Sequence, residues 1–197
     1  MKRVAPLLLM LLVAGLAPAQ TRDPEASVQQ KFVSGGTIRL HLEAGGYTIS
    51  PTDSNDIVVT YHASSEERLK QVKVAIKPSG STADIVISDT PNNNFSAIIE
   101  VPRQSNLWAR LSAGELVVES IEGDKDLELR AGRMQVDIPH AEQYGHCDAS
   151  VIAGSLEASA FDVSKGGLFR SFDHQGPGKY RLHAHITTGE IDLRGSD

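Results

Sequence analysis

One eight-residue unit constrains this chain more than any other feature: an apolar residue, any residue, alanine, glycine, any residue, then apolar residues at alternate positions. It reads LEAGGYTI at Leu42 to Ile49, LSAGELVV at Leu111 to Val118, LRAGRMQV at Leu129 to Val136, VIAGSLEA at Val151 to Ala158, and ITTGEIDL at Ile186 to Leu193, where threonine replaces the alanine. Apolar residues alternate on either side of the glycine, which is the period of a β-strand. Leu111, Ala113, Leu116 and Val118 are assigned to one face, with Ser112, Glu115, Val117 and Glu119 on the other. Leu129, Ala131, Met134, Val136 and Ile138 repeat the inward set.

The central glycines Gly114, Gly132 and Gly154 are spaced by 18 and 22 residues, a period read as a solenoid. The expected architecture is therefore all-β, a single-stranded β-helix or β-solenoid-like repeat domain. Its ladders would run Ala113 on Ala131 on Ala153 and Leu116 on Met134 on Leu156, so that each pass buries what its neighbour leaves open. A β-sandwich is the alternative, since short strands at regular spacing also fit that class, but it does not require the same turn in every pass. The 69 residues between Gly45 and Gly114 break the period, and this N-terminal part is read as sandwich-like.

Elsewhere the chain continues as strands. Ile38, Leu40 and Leu42 alternate, Tyr47 and Ile49 follow the Gly45-Gly46 turn, and Asp56 to His62, Val72 to Ile76, Asp84 to Ser88 and Phe95 to Val101 follow in order. Ser64 to Gln71 is the one helix candidate, with Ser64 and Glu67 spaced as a capping box. Residues 31–197 are assigned to the β-strand repeat domain.

At the N-terminus, Lys2 and Arg3 precede an apolar run from Val4 to Leu16 and then Ala17, Pro18 and Ala19, the pattern of a secretory signal peptide over residues 1–19. Thirteen residues broken by Pro6 and Gly15 fall short of the roughly 20 that a spanning helix needs. The mature chain is expected to start at Gln20, with a patternless flexible lead over residues 20–30 and no insertion in a membrane after cleavage. Its location would be periplasmic or extracellular. Cleavage takes the formal net charge from −6 to −8 over 178 residues, a balance that repels phosphate backbones and anionic lipids, so nucleic acid is excluded as a partner.

The turn units, together with IEGDKDLEL at Ile121 to Leu129, VPRQSNLWARLSAG at Val101 to Gly114, KGGLFRSF from Lys165, and GPGKYRLHAHITTGEIDL ending at Leu193, resemble the bacterial putative-adhesin family of β-strand repeat proteins. The resemblance spans nearly all of the expected mature chain. It implies a domain of unknown function for which adhesion has been suggested, with no catalytic residues to carry over.

Four groups of residues are candidates for chemistry. His183 and His185 at i and i+2 share a strand face and could ligate one metal with His146 or His174, yet Arg181 beside them would repel a cation, and solvated surface histidines are the default. Glu119, Glu122, Asp124 and Asp126 surround the Gly123 turn and could in principle supply a carboxylate pair for glycoside hydrolysis. Gly-Asp is also an ordinary turn. Trp108 falls out of phase with Leu107, Ala109 and Leu111, which puts it on the outer face between Arg103 and Arg110, either as a binding anchor or covered by the lead. Cys147, the only cysteine, lies in the inward alternation of Ala149 and Val151, where it would be a small buried hydrophobe rather than a reactive thiol.

No nucleophile elbow, phosphate loop, dinucleotide fingerprint or paired cysteines are present. The reading is an exported non-catalytic, adhesin-like binding or structural module of the cell envelope. It needs no cofactor, metal or catalytic residue, and its partner is a neutral glycan or a basic protein patch. The competing reading is a polysaccharide-acting β-helix enzyme.

Overall fold

The computed structural model describes residues 24–195; the expected signal peptide lies outside them. Its strands are β1 (Glu25–Lys31), β2 (Thr37–Leu42), β3 (Gly45–Thr52), β4 (Asp56–His62), β5 (Lys73–Ser79), β6 (Thr82–Ser88), β7 (Ser96–Pro102), β8 (Asn106–Val118), β9 (Lys125–Ile138), β10 (Tyr144–Ala158), β11 (Val163–Gln175) and β12 (Tyr180–Gly195), with a single α-helix, α1 (Glu66–Leu69). All twelve strands belong to one open sheet. The all-β expectation holds.

Four of the glycine units are corners inside continuous strands, and the first, LEAGGYTI, is the corner between β2 and β3. Along β8, Leu107, Ala109 and Leu111 are buried and then Leu116 and Val118, so the inward phase shifts across Gly114, whose φ is +121°. Two legs result, and residues from both enter one apolar cluster. The corners are in register across the sheet: Gly45 pairs Gly114, then Gly132, Gly189 and Gly154 in parallel strands, and finally Gly167 in an antiparallel one. Glycine is required here by crowding as well as by φ. A Cβ on Gly132, Gly189 or Gly154 would lie 1.8 Å from the carbonyl oxygen of the preceding glycine in this ladder.

Pairing explains the long gap in the repeat. The first leg of β8 runs beside β2 and its second leg beside β3, while β6 flanks β2 and β7 flanks β3, all in parallel. Thus β6 and β7 form a two-legged pass whose corner is the loop 89–95, where Asp89 and Asn94 take positive φ in place of glycine. Asn and Asp tolerate that conformation better than most residues. β4 and β5 run antiparallel to β7 and β6, and β11 runs antiparallel to β10. A parallel stack is therefore bounded at each end by antiparallel strands. The N-terminal strands join the common sheet and do not form a separate sandwich-like part.

Three expectations are corrected. A solenoid would stack its passes in chain order, but β12 lies between β9 and β10, and the sheet is open. The ladders accordingly read Leu116, Met134, Ile191, Leu156 and Ala113, Ala131, Thr188, Ala153. The lead expected to be flexible over 20–30 contains most of β1, which pairs with β4 along its whole length and is tied by Lys31 to Asp56 at 2.9 Å. Ala26 and Val28 pack on the core from alternate positions, a two-residue period too short to stand out in the sequence. Finally, the helix is capped by Ser65, whose hydroxyl accepts from the Arg68 backbone N–H, rather than by Ser64.

Candidate functional site

The first legs of the parallel strands present alternate residues outward, and the register aligns these residues into rows. One row runs Arg39, Trp108, Asp126, His183, Asp148, Asp173; the next runs His41, Arg110, Glu128, His185, Ser150, Ser171. Inward neighbours Leu107, Ala109, Leu127, Leu129, Leu182, Ala184 and Cys147 are buried. The result is a sheet face whose underside is core and whose outer side is polar and titratable. Neighbouring strands in such a sheet are about 4.8 Å apart, so residues in one row touch.

Arg110 organises one part of this face. Its guanidinium lies 2.9 Å from Asp126 and 3.2 Å from Glu128, donates to the backbone carbonyls of Ala109 and Asp126 at 3.0 Å, and stacks 4.1 Å over the Trp108 ring. His41 also packs against Trp108, with ring centroids 5.0 Å apart and the rings tilted. Trp108 is therefore half-buried on the outer face, as its phase predicts, but its cover comes from Arg110 and His41. Arg103 instead pairs with Asp53 at 3.0 Å, and β1 lies across the sheet against β4.

Asp148 organises the second part. One carboxylate oxygen is 2.5 Å from His183 Nδ1, and the other is 3.2 Å from His146 Nε2. His185 Nδ1 lies 2.8 Å from the Ser150 hydroxyl. His174 belongs elsewhere, with its ring 4.7 Å from Phe161 and 6.3 Å from Phe172. The four histidines considered as ligands thus do not converge. What does converge is Asp126, Glu128 and His183, whose potential ligand atoms all lie within 4.8 Å of one another. The sequence held the signal for this in the i, i+2 spacing of Asp126 and Glu128, yet which strand lies beside β9 depends on a long-range order.

Two open depressions cover this face. One, of about 530 Å³, is lined by His41, Arg110, Glu128 and His185 among others; the second, of about 590 Å³, includes Asp126, His146, Asp148 and His183. Of the acidic group around Gly123, Asp124 and Asp126 line the second depression, and of the two Asp126 belongs to the three-residue cluster. Asp124 Oδ1 accepts the Arg181 backbone N–H at 2.9 Å, while Glu119 and Glu122 lie beyond the first legs. The four carboxylates form no paired site.

Below the face sits a group that the sequence reading passed over. Lys125 occupies an inward position in phase with Leu127 and Leu129, is 2% exposed, and donates to the carbonyls of Ile121 and Gly123 at 2.7 and 3.1 Å and to the Tyr144 hydroxyl at 2.5 Å. It ties the Gly123 turn to β10. Burial pushes its ammonium down to about 8, against opposing attraction from Asp124, Cys147 and Glu122. Burial also pushes the Cys147 thiol up to about 12, in keeping with a core thiol rather than a nucleophile.

Lys125 has a measurable consequence. Between pH about 8 and the ordinary lysine value the unfolded chain holds a proton that the native lysine has released, so native stability rises with pH there, by at most about 1.4 kcal/mol per unit. Above pH about 9 the unfolded Cys147 ionises while the native thiol does not, which opposes the gain. Urea midpoints should therefore increase from pH 7.5 to 9 in the wild type, and Lys125→Met should abolish that increase. An unchanged slope in the variant would assign the effect to another group.

No family model matches the chain, and no curated protein matches it either. Solved structures do. A putative cell adhesion protein from Clostridium sporogenes ATCC 15579 shares 12% identity over 88% of this chain and 100% of its own, with a TM-score of 0.57. This likeness shows a shared fold. A putative adhesin from Bacteroides fragilis NCTC 9343, 11% identical over 91% of this chain and 100% of its own, superposes with a TM-score of 0.34. Among the described residues no helix is long and apolar enough to cross a membrane.

Proposed function

We propose that this protein is an exported, non-catalytic binding module that acts in the adhesin-like manner named for the Clostridium sporogenes protein of similar fold. The observation that carries this reading is the outer face of the first legs. It is built from rows fixed in register on a buried apolar core, it is polar apart from Trp108, and it offers open depressions lined by charged and titratable side chains. Rigid faces of this kind bind by extended matching of shape and charge.

The partner fitted by this face is a neutral glycan or a basic protein patch, since Asp126, Glu128, Asp148 and Asp173 outnumber Arg39 and Arg110 on the two rows. Trp108 is the apolar anchor that a sugar ring would stack against, with the guanidinium of Arg110 beneath it. Export follows from the signal-peptide pattern over residues 1–19.

A glycan array and a panel of cationic proteins test this reading. Binding should be retained by Glu115→Ala and weakened at least tenfold by Trp108→Ala, roughly the loss of one interface anchor. Release of shorter fragments from any polysaccharide, abolished by substitution of Asp126 or Glu128, would establish an enzyme instead.

A further inference from the structure

We infer that Asp126, Glu128 and His183 form a binding site for a divalent first-row transition ion, with zinc as its representative. Asp126 and Glu128 project from the same face of β9, and His183 projects from β12 directly beside Asp126. Their ligand atoms fall within 4.8 Å of one another, so small side-chain rotations would bring them to the bonds of about 2.0–2.2 Å that a single ion requires.

Two further observations point to a ligand at this spot. His183 Nδ1 is held by Asp148 at 2.5 Å, which leaves Nε2 as the free donor. A carboxylate gripping the second nitrogen is the arrangement that fixes ring orientation and raises ligand basicity in metal sites. Asp126 Oδ1, in turn, is shielded from solvent without a hydrogen-bond partner. The cation that faces it is the Arg110 guanidinium, with Nη2 at 2.9 Å. Asp126 and Glu128 thus already gather one positive charge at this spot.

The donor set selects the metal class. One imidazole with two carboxylates suits zinc and its first-row neighbours, whereas calcium and magnesium favour oxygen-only shells. Three protein ligands leave a coordination position open, so a bound ion could accept an oxygen from a partner docked on the same face. Arg110 is the local competitor, because its guanidinium already pairs with both carboxylates. The ion would displace that pairing.

This inference stands apart from the adhesive reading, since zinc can be titrated without any partner. Tag-free protein titrated calorimetrically with Zn²⁺ should bind one ion per chain, and a tenfold excess of Ca²⁺ should not compete. Glu128→Gln and His183→Gln should each weaken binding tenfold or more, while His62→Gln, on β4, leaves it unchanged. Zinc should also raise the Tm of the wild type and not of His183→Gln, whose fold is checked by its far-ultraviolet spectrum. Absence of stoichiometric binding, equal competition by Ca²⁺, or wild-type affinity in either of the two ligand variants would overturn the assignment.

Discussion

Gly132→Ala should leave little or no folded protein. At φ +134° an L-residue is already strained, and a Cβ there would lie 1.8 Å from the Gly114 carbonyl oxygen. That oxygen belongs to backbone, fixed by pairing on both sides, so no flexible side chain can move away. Relief requires opening the β8–β9 pairing at the corner, which uncouples the two legs that enclose the core. A cost of about 4 kcal/mol or more is expected, a large part of a total stability of roughly 5–15 kcal/mol. Gly80→Ala is the control. Gly80 also has a positive φ, +60°, but a Cβ there meets nothing within 4 Å, so it should lose only about 1 kcal/mol. Denaturation midpoints measure the contrast, and equal losses would mean that backbone conformation alone, rather than close approach across the ladder, decides where glycine is needed.

The same ladder shows how far the sequence could be read. Every unit with a central glycine does form a corner, because the signal is local: φ and the alternation on both sides are properties of eight residues. The order of the corners is not local. Each unit offers nearly the same face to its neighbours, so ITTGEIDL fits beside LRAGRMQV as well as VIAGSLEA does, and nothing in the units says that β12 enters between β9 and β10. The pass made by β6 and β7 was invisible for the opposite reason, since its corner uses Asp89 and Asn94 and carries no glycine. The site inherits this limit. Outward placement of His183, Trp108 and Asp126 was legible from alternation, but the meeting of Asp126 and Glu128 with His183 depends on the insertion of β12. Lys125 was legible in phase and was missed because a lysine among leucines is read first as a turn residue; what makes it tolerable inside is the trio of acceptors supplied by Ile121, Gly123 and Tyr144.

Leu116→Asp should unfold or aggregate the protein, while Glu115→Ala, one residue away, should be close to silent. Leu116 is fully buried and sits in register between Tyr47 on β3 and Met134 on β9, directly after the corner at Gly114. An aspartate there loses the apolar contacts and brings a charge into a region with no cation aligned beside it in either neighbouring strand. Burying such an unpaired charge costs several kcal/mol, and the chain escapes it only by protonating the group or by opening the second leg. Glu115 points outward from the same strand and faces Arg133 in the next, so its truncation removes at most a solvated charge pairing, worth about 0–1 kcal/mol. The pair also tests the change of phase across the corner. If alternation ran unbroken from Leu111, position 115 would be inward and 116 outward, and the two substitutions would exchange their effects. Soluble yield and urea midpoints for both variants distinguish the two arrangements, and a harmless Leu116→Asp would mean that the two legs do not close on one core.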